Sequence, residues 1–288
     1  MSKEARFRDG FFTVEDGFRL YFRDYFGSNA QLPLLCLHGL TRNLKDFEDF
    51  AELFAGGRRV VLLDFRGRGK SDYDPQPERY TPLHYSGDVL RLMDHLGFAE
   101  AIFVGTSLGG LVTMIIAEFE PDRIAATILN DVGPELREVG LDRIKSYVGK
   151  GARFGSWEEA GAAIAVNNGN LPVHYTDDDW TRMARKICRE DKGEIIFDYD
   201  QAIAVPFNSQ GAAPNVDLWP LFTKLAERPL LVVRGEKSDL LEADVLEKMT
   251  SVSPNVASVT VPGVGHAPDL TEPEAVAAIR AFLDRIAL

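Results

Sequence analysis

A chain of 288 residues suits one α/β domain with a sizeable insertion, or two small domains. Its 45% hydrophobic and 26% charged residues are ordinary for a globular protein. With 32 basic against 44 acidic residues the net charge is −12, which argues against a nucleic acid or an anionic membrane as partner, since either needs a basic face.

The first residues contain no apolar run of signal-peptide length, and no later segment is long enough to span a bilayer. A cytoplasmic location is therefore expected. Cys36 and Cys188 lie far apart in apolar or mixed segments, which predicts reduced, structural thiols rather than a disulfide or a metal site.

Phe11 to Val14 and Arg19 to Phe26 read as a β-hairpin turning at Asp16-Gly17. Leu34 to His38 is a continuous apolar run, as expected of a strand buried on both faces of a parallel sheet. Lys45 to Phe54 suits a helix and Arg59 to Asp64 the next strand. Thr81-Pro82 opens a helix through His95; Ala101 to Thr106, Leu108 to Phe119 and Ile124 to Asn130 then read strand, helix, strand. This rhythm predicts βαβ units and a doubly wound, mostly parallel sheet.

The rhythm stops after Asp131. From Pro134 to Asp217 there are helical stretches, Trp157 to Val166 and Asp177 to Arg189, but no buried-strand run, and Ile195 to Val205 fits no type. It resumes with a strand at Leu230 to Arg234, a helix from Glu242 to Met249, a strand from Val256 to Val261 and a final helix from Pro273. The expected organisation is a core of residues 1–133 and 218–288 with a mainly helical cap, 134–217, inserted between two strands.

One stretch carries chemistry. The strand ending at Thr106 meets Gly105-x-Ser107-x-Gly109 and turns directly into a helix. A serine at such an apex is held in a strained backbone conformation, and glycines two residues either side remove side chains that would clash. The amide of Leu108 opens the helix, where developing negative charge is favoured. In open parallel sheets ligands sit beyond the carboxyl ends of the strands. His38-Gly39, Ser107, Asp131, Ser238-Asp239 and His266 all follow strands and fall there.

The chain resembles the α/β-hydrolase superfamily over essentially its full length. The matching residues are His38-Gly39, Gly67-x-Gly69-x-Ser71-Asp72, Gly105-Thr106-Ser107-Leu108-Gly109-Gly110, Gly235-Glu236-Lys237-Ser238-Asp239 and Gly263-x-Gly265-His266. The resemblance implies an α/β-hydrolase fold with a cap over the site and a triad of Ser107, His266 and Asp239. It also implies an oxyanion hole made by the backbone N–H groups of Leu40 and Leu108. Asp131 competes for the acid position because it too follows a strand; Asp239, in the turn after the later strand, is preferred. His38 is expected to brace the oxyanion loop, Arg66 and Asp72 to tie down their own loop, and His84, His95 and His174 to be surface or structural.

A serine nucleophile disfavours the dehalogenases and epoxide hydrolases of the superfamily, which attack through aspartate. The expected activity is hydrolysis of small to medium carboxylic esters or lactones through an acyl-enzyme, needing no metal or cofactor. Hydrolysis of carbon–carbon bonds in aromatic ring-cleavage products is the enzymatic alternative, although Leu40-Thr41-Arg42-Asn43 departs from the His-Gly-x-Gly-Pro-Gly loop of those enzymes. A small-molecule receptor with an idle serine is the non-enzymatic one. The cap aromatics Tyr147, Phe154, Trp157, Tyr175, Trp180 and Phe207 are candidates for either a substrate pocket or the cap's own core.

Overall fold

The computed structural model describes residues 6–168, 175–209 and 217–286; His174 of the sequence reading lies outside them. In chain order the elements are β1 (Phe7–Thr13), β2 (Arg19–Tyr25), β3 (Leu34–Leu37), α1 (Glu48–Phe54), β4 (Val60–Leu63), α2 (Pro82–Leu96), β5 (Ala101–Thr106), α3 (Leu108–Phe119) and β6 (Ile124–Asn130). Then follow α4 (Glu138–Tyr147), β7 (Arg153–Phe154), α5 (Trp157–Asn167), α6 (Asp177–Ile187), β8 (Cys188–Asp191), β9 (Glu194–Phe197), α7 (Ala204–Ser209) and α8 (Trp219–Leu225). The chain closes with β10 (Leu230–Gly235), α9 (Ala243–Val252), β11 (Val256–Val261) and α10 (Pro273–Ile286).

The main sheet has the order β1-β2-β4-β3-β5-β6-β10-β11. The β1–β2 hairpin is antiparallel and β2 runs antiparallel to β4, while every pair from β4 to β11 is parallel. Its middle strands are apolar at consecutive positions because both faces are covered. Leu35, Leu37, Val61, Leu63, Phe103, Leu129 and Val232 pack on one side against α2, α3, α8 and α9. Their neighbours Leu34, Cys36, Val60, Leu62, Ile102, Val104, Ile128, Leu231 and Val233 pack on the other side against α1 and α10. Each such side chain contributes about 1.5–3 kcal/mol when fully buried, so the sheet is fixed from both sides.

Local signals set the boundaries. The Thr81 hydroxyl caps α2 by accepting from the His84 N–H, Pro82 occupies its first turn, and Gly97 ends it at φ +71°. The hairpin turns where Asp16-Gly17 predicted, with Gly17 at φ +88°.

The segment between β6 and β10 is helical as expected but also holds a small antiparallel sheet, β7-β9-β8, which hydrophobic runs did not reveal. Its hairpin turns on Lys192-Gly193, both at positive φ (53° and 85°), the geometry of a tight two-residue β-turn. The predicted helix from Asp177 therefore ends at Ile187, where the backbone of Cys188 becomes extended. Phe154, Ile164, Met183, Ile187 and Ile195 give this segment a core of its own, against which Trp157, Tyr175 and Trp180 pack. No described helix is long and apolar enough to cross a membrane.

Candidate active site

β5 and β6 pair with Thr106 opposite Asn130, and β6 and β10 with Asn130 opposite Val233. Ser107, Asp131 and the turn after β10 consequently leave the sheet side by side at one edge. Ser107 sits between β5 and α3 at φ +50°, ψ −112°, a conformation that costs a residue with a side chain about 1–3 kcal/mol. The flanking glycines make the turn possible. A Cβ on Gly105 would lie 2.6 Å from the Gly110 nitrogen, and one on Gly109 would lie 2.1 Å from the Leu37 carbonyl oxygen. Gly105-x-Ser107-x-Gly109 is thus required by backbone-to-backbone contact.

Leu108 is the first residue of α3, so its N–H has no acceptor within the helix and is available at the helix's positive end. Leu40 follows His38-Gly39 on the facing loop. His38 is fully buried; its Nδ1–H donates to the Gly39 carbonyl at 2.7 Å, and its Nε2 accepts from the Phe65 N–H at 3.1 Å. That bond holds the Gly39–Leu40 peptide plane, the one carrying the Leu40 N–H. Burial pushes the His38 imidazole down to about 3, so the ring is a neutral brace rather than a base.

His266 Nδ1 donates to Asp131 Oδ2 at 2.7 Å. Asp131 is fully buried at φ +54°, its Oδ1 accepting from the Gly235 N–H (2.8 Å) and its Oδ2 also from the Ser238 hydroxyl (2.6 Å). Ser238 is fixed in turn by the N–H groups of Leu240 and Leu241. The loop bearing His266 reaches this corner because Gly235 has no side chain; a Cβ there would lie 2.4 Å from the Gly265 carbonyl oxygen.

The expected pairing of Asp239 with His266 is not what the structure contains. Asp239 accepts two hydrogen bonds from Arg143 of α4, from Nε at 2.6 Å and from Nη2 at 2.9 Å. Burial raises its carboxyl, but the Arg143 bonds and charge, with a smaller contribution from His266, outweigh this and hold it below its ordinary value. The turn after β10 delivers the hydroxyl of Ser238, not the next residue's carboxylate, to the histidine corner. A second strand-ending acid was visible in the sequence; which one the imidazole meets depends on the path of two loops.

Ser107 and His266 line one cleft, together with Leu40, Arg42, Asn130, Arg143, Tyr147 and residues of α5 and α6. Of the six candidate aromatics Tyr147 lines the cleft, and Phe207 packs against the main core. Phe197 and Tyr199 also line it; they lie in the stretch whose periodicity fitted neither helix nor strand. Asn130 Nδ2 donates to Thr106 Oγ1 (3.0 Å) and to the Pro268 carbonyl (2.8 Å), joining the strand before Ser107 to the loop after His266. Outside the cleft, Arg66 is ion-paired with Asp88, Asp74 and Asp16, and Asp72 accepts from the Arg19 N–H, so this loop is tied down as predicted.

Residues 33–154 match a family model described as alpha/beta hydrolase fold. The 3-hydroxybutyrate-oligomer hydrolase of Cupriavidus necator is 35% identical over 252 residues, covering 85% of each chain. The 2-(acetamidomethylene)succinate hydrolase of Mesorhizobium japonicum is 29% identical over 253 residues, 87% of each chain. Among solved structures, an alpha/beta hydrolase from Novosphingobium aromaticivorans matches with a TM-score of 0.93 at 48% identity, over 98% of this chain and 100% of that one. With its sheet order, its glycine-flanked serine turn and these relatives, the chain belongs to the α/β-hydrolase family.

Proposed function

We propose that the protein is a carboxylic-ester hydrolase in which Ser107 is the nucleophile, His266 the general base and Asp131 the acid that orients the imidazole. The observation that carries this reading is the 2.7 Å bond to the buried Asp131 carboxylate from Nδ1 of His266, a residue that lines the same cleft as the serine. A serine hydroxyl is a poor nucleophile until a base takes its proton during attack. With Nδ1–H given to Asp131, the His266 Nε2 carries the free lone pair, and the carboxylate stabilises the imidazolium that forms. Attack of the Ser107 oxygen on the ester carbonyl places negative charge on the carbonyl oxygen, toward the Leu40 and Leu108 N–H groups. The imidazolium then protonates the departing alcohol. In the second half, water gives a proton to the same nitrogen as it attacks the acyl carbon; the imidazolium then returns that proton to the departing Ser107 oxygen, which releases the acid and restores the free serine. The described residues between β6 and β10 serve as the cap that covers the acyl group.

Short esters of hydroxy acids are the substrate class best supported, because the Cupriavidus relative that acts on 3-hydroxybutyrate oligomers aligns over 85% of both chains; lactones demand the same chemistry. The test is steady-state hydrolysis of p-nitrophenyl butyrate by the wild type and by Ser107→Ala. Repeated turnover that the substitution abolishes supports the reading. A single burst without turnover favours a small-molecule receptor, and an unchanged rate in Ser107→Ala removes the serine from the mechanism.

A further inference from the structure

We propose that Arg42 and Arg143 form a carboxylate-binding subsite beside Ser107, so that the preferred ester carries a free carboxylate of its own. This rests on the ester-hydrolase reading above and names the substrate feature that the cleft selects. Both residues line the cleft of Ser107 and His266, and their side chains are largely buried, at 22% and 20% exposure.

Each is held by one carboxylate through the same two positions. Arg42 donates to Asp46 from Nε (2.7 Å) and Nη2 (3.0 Å), and Arg143 donates to Asp239 from Nε (2.6 Å) and Nη2 (2.9 Å). A guanidinium has five N–H donors, so each fork is fixed in orientation while Nη1 stays outside the ion pair. The contact of Arg42 Nη1 is the Met183 sulfur at 3.9 Å, a weak acceptor. A bound carboxylate would be a far stronger one.

A Cβ built on Gly39 would lie 3.4 Å from the Arg42 Cγ and 3.9 Å from the Ser107 Cβ, so the stem of Arg42 and the serine flank one glycine. Tyr147, one helical turn after Arg143 on α4, is raised by burial and lowered by the charges of Arg143 and Arg42; it shares a side-chain hydrogen bond with Arg143, and the charge of Arg42 acts on it without one. The acids in the lining are engaged already. Asp46 is taken by Arg42, and Asp269 accepts from the Tyr175 hydroxyl at 2.6 Å. A chain of net charge −12 repels an anion at long range, and each guanidinium is already charge-balanced by its own carboxylate, so selective binding of an anion has to come from short-range hydrogen bonds of this kind.

The test compares the linear dimer of 3-hydroxybutyrate as free acid with its methyl ester, scored as cleavage of the internal ester bond. Wild type is expected to favour the free acid by about ten- to a hundredfold in kcat/KM, as charge-assisted hydrogen bonds to one carboxylate allow. In Arg42→Gln, and in Arg143→Gln combined with Asp239→Asn so that no carboxylate is left unpaired, this ratio falls toward one; Arg42→Lys restores part of it. The ratio is insensitive to a general loss of activity, which a merely structural role would cause. Independently of any variant, free 3-hydroxybutyrate should inhibit p-nitrophenyl butyrate hydrolysis competitively, and its uncharged, non-ester analogue 3-hydroxybutyramide should not. A wild-type ratio of one or less, a ratio unchanged in both variants, or equal inhibition by acid and amide overturns the subsite while leaving the esterase standing. Absence of any ester turnover by folded wild type overturns both.

Discussion

Asp131 and Asp239 follow neighbouring parallel strands, β6 and β10, yet they bond different partners: Asp131 meets the His266 imidazole at 2.7 Å, and Asp239 meets the Arg143 guanidinium at 2.6 and 2.9 Å. One acid thereby orients an imidazole at the cleft, and the other makes a contact between the sheet edge and α4.

The two acids separate cleanly by mutation. Asp131→Asn leaves Nδ1 of His266 without its anion and is expected to lower kcat on p-nitrophenyl butyrate by about 10³- to 10⁴-fold. Asp239→Asn should cost much less in kcat. Steady-state kinetics of both variants decide, and a larger loss in Asp239→Asn reverses the assignment.

Ser238 supports the acid rather than the substrate. Its hydroxyl bonds the same Asp131 oxygen that His266 reaches, and hydrogen bonds to charged groups contribute roughly 1.5–3 kcal/mol. Ser238→Ala is expected to lower kcat about ten- to a hundredfold with little change in KM. An unaltered kcat would show that the Gly235 N–H and the imidazole hold Asp131 without help.

Two glycines should respond in opposite directions to alanine. At Gly109 the added carbon meets the Leu37 carbonyl oxygen at 2.1 Å, where only backbone could yield. Gly109→Ala is expected to cost about 3 kcal/mol or more and to lower Tm by roughly 5 °C or more. Gly87 lies exposed within α2 with open space around its missing Cβ. Gly87→Ala should raise stability by about 0.5–1 kcal/mol, since alanine is the better helix former. Thermal unfolding of both variants checks the pair.

Asp64 gives the fold a pH dependence. It is buried, accepts from the N–H groups of Leu44 (2.7 Å) and Lys70 (2.9 Å), and burial pushes its carboxyl up to about 7, Asp198 adding to the effect. Because the folded value exceeds the unfolded one, near 3.9, the folded state binds more protons between the two. The stability this group contributes is complete below about pH 4 and is lost as pH rises toward 7, on the order of 4 kcal/mol in all. Asp64→Asn removes the titration. The Tm difference, wild type minus variant, should therefore be larger at pH 5 than at pH 8, and a difference that grows with pH contradicts this.

The sequence by itself determined the parallel sheet, because strands buried on both faces must be apolar at consecutive positions, as Leu34 to Leu37 and Ala101 to Val104 are. It also determined the serine turn, because only glycine at 105 and 109 tolerates those backbone contacts. Short-range sterics and burial write themselves into local residue choice. The β8–β9 hairpin was written more faintly, in Lys192-Gly193, since strands with charged or half-buried residues lack an apolar run. Only the tertiary structure decided that Asp131 rather than Asp239 meets His266, and that Arg42 and Arg143 share a cleft with Ser107. Those relationships join residues tens to more than a hundred positions apart. A few ångströms of loop path separate a carboxylate that meets an imidazole from one that meets a guanidinium, and no local pattern records that difference.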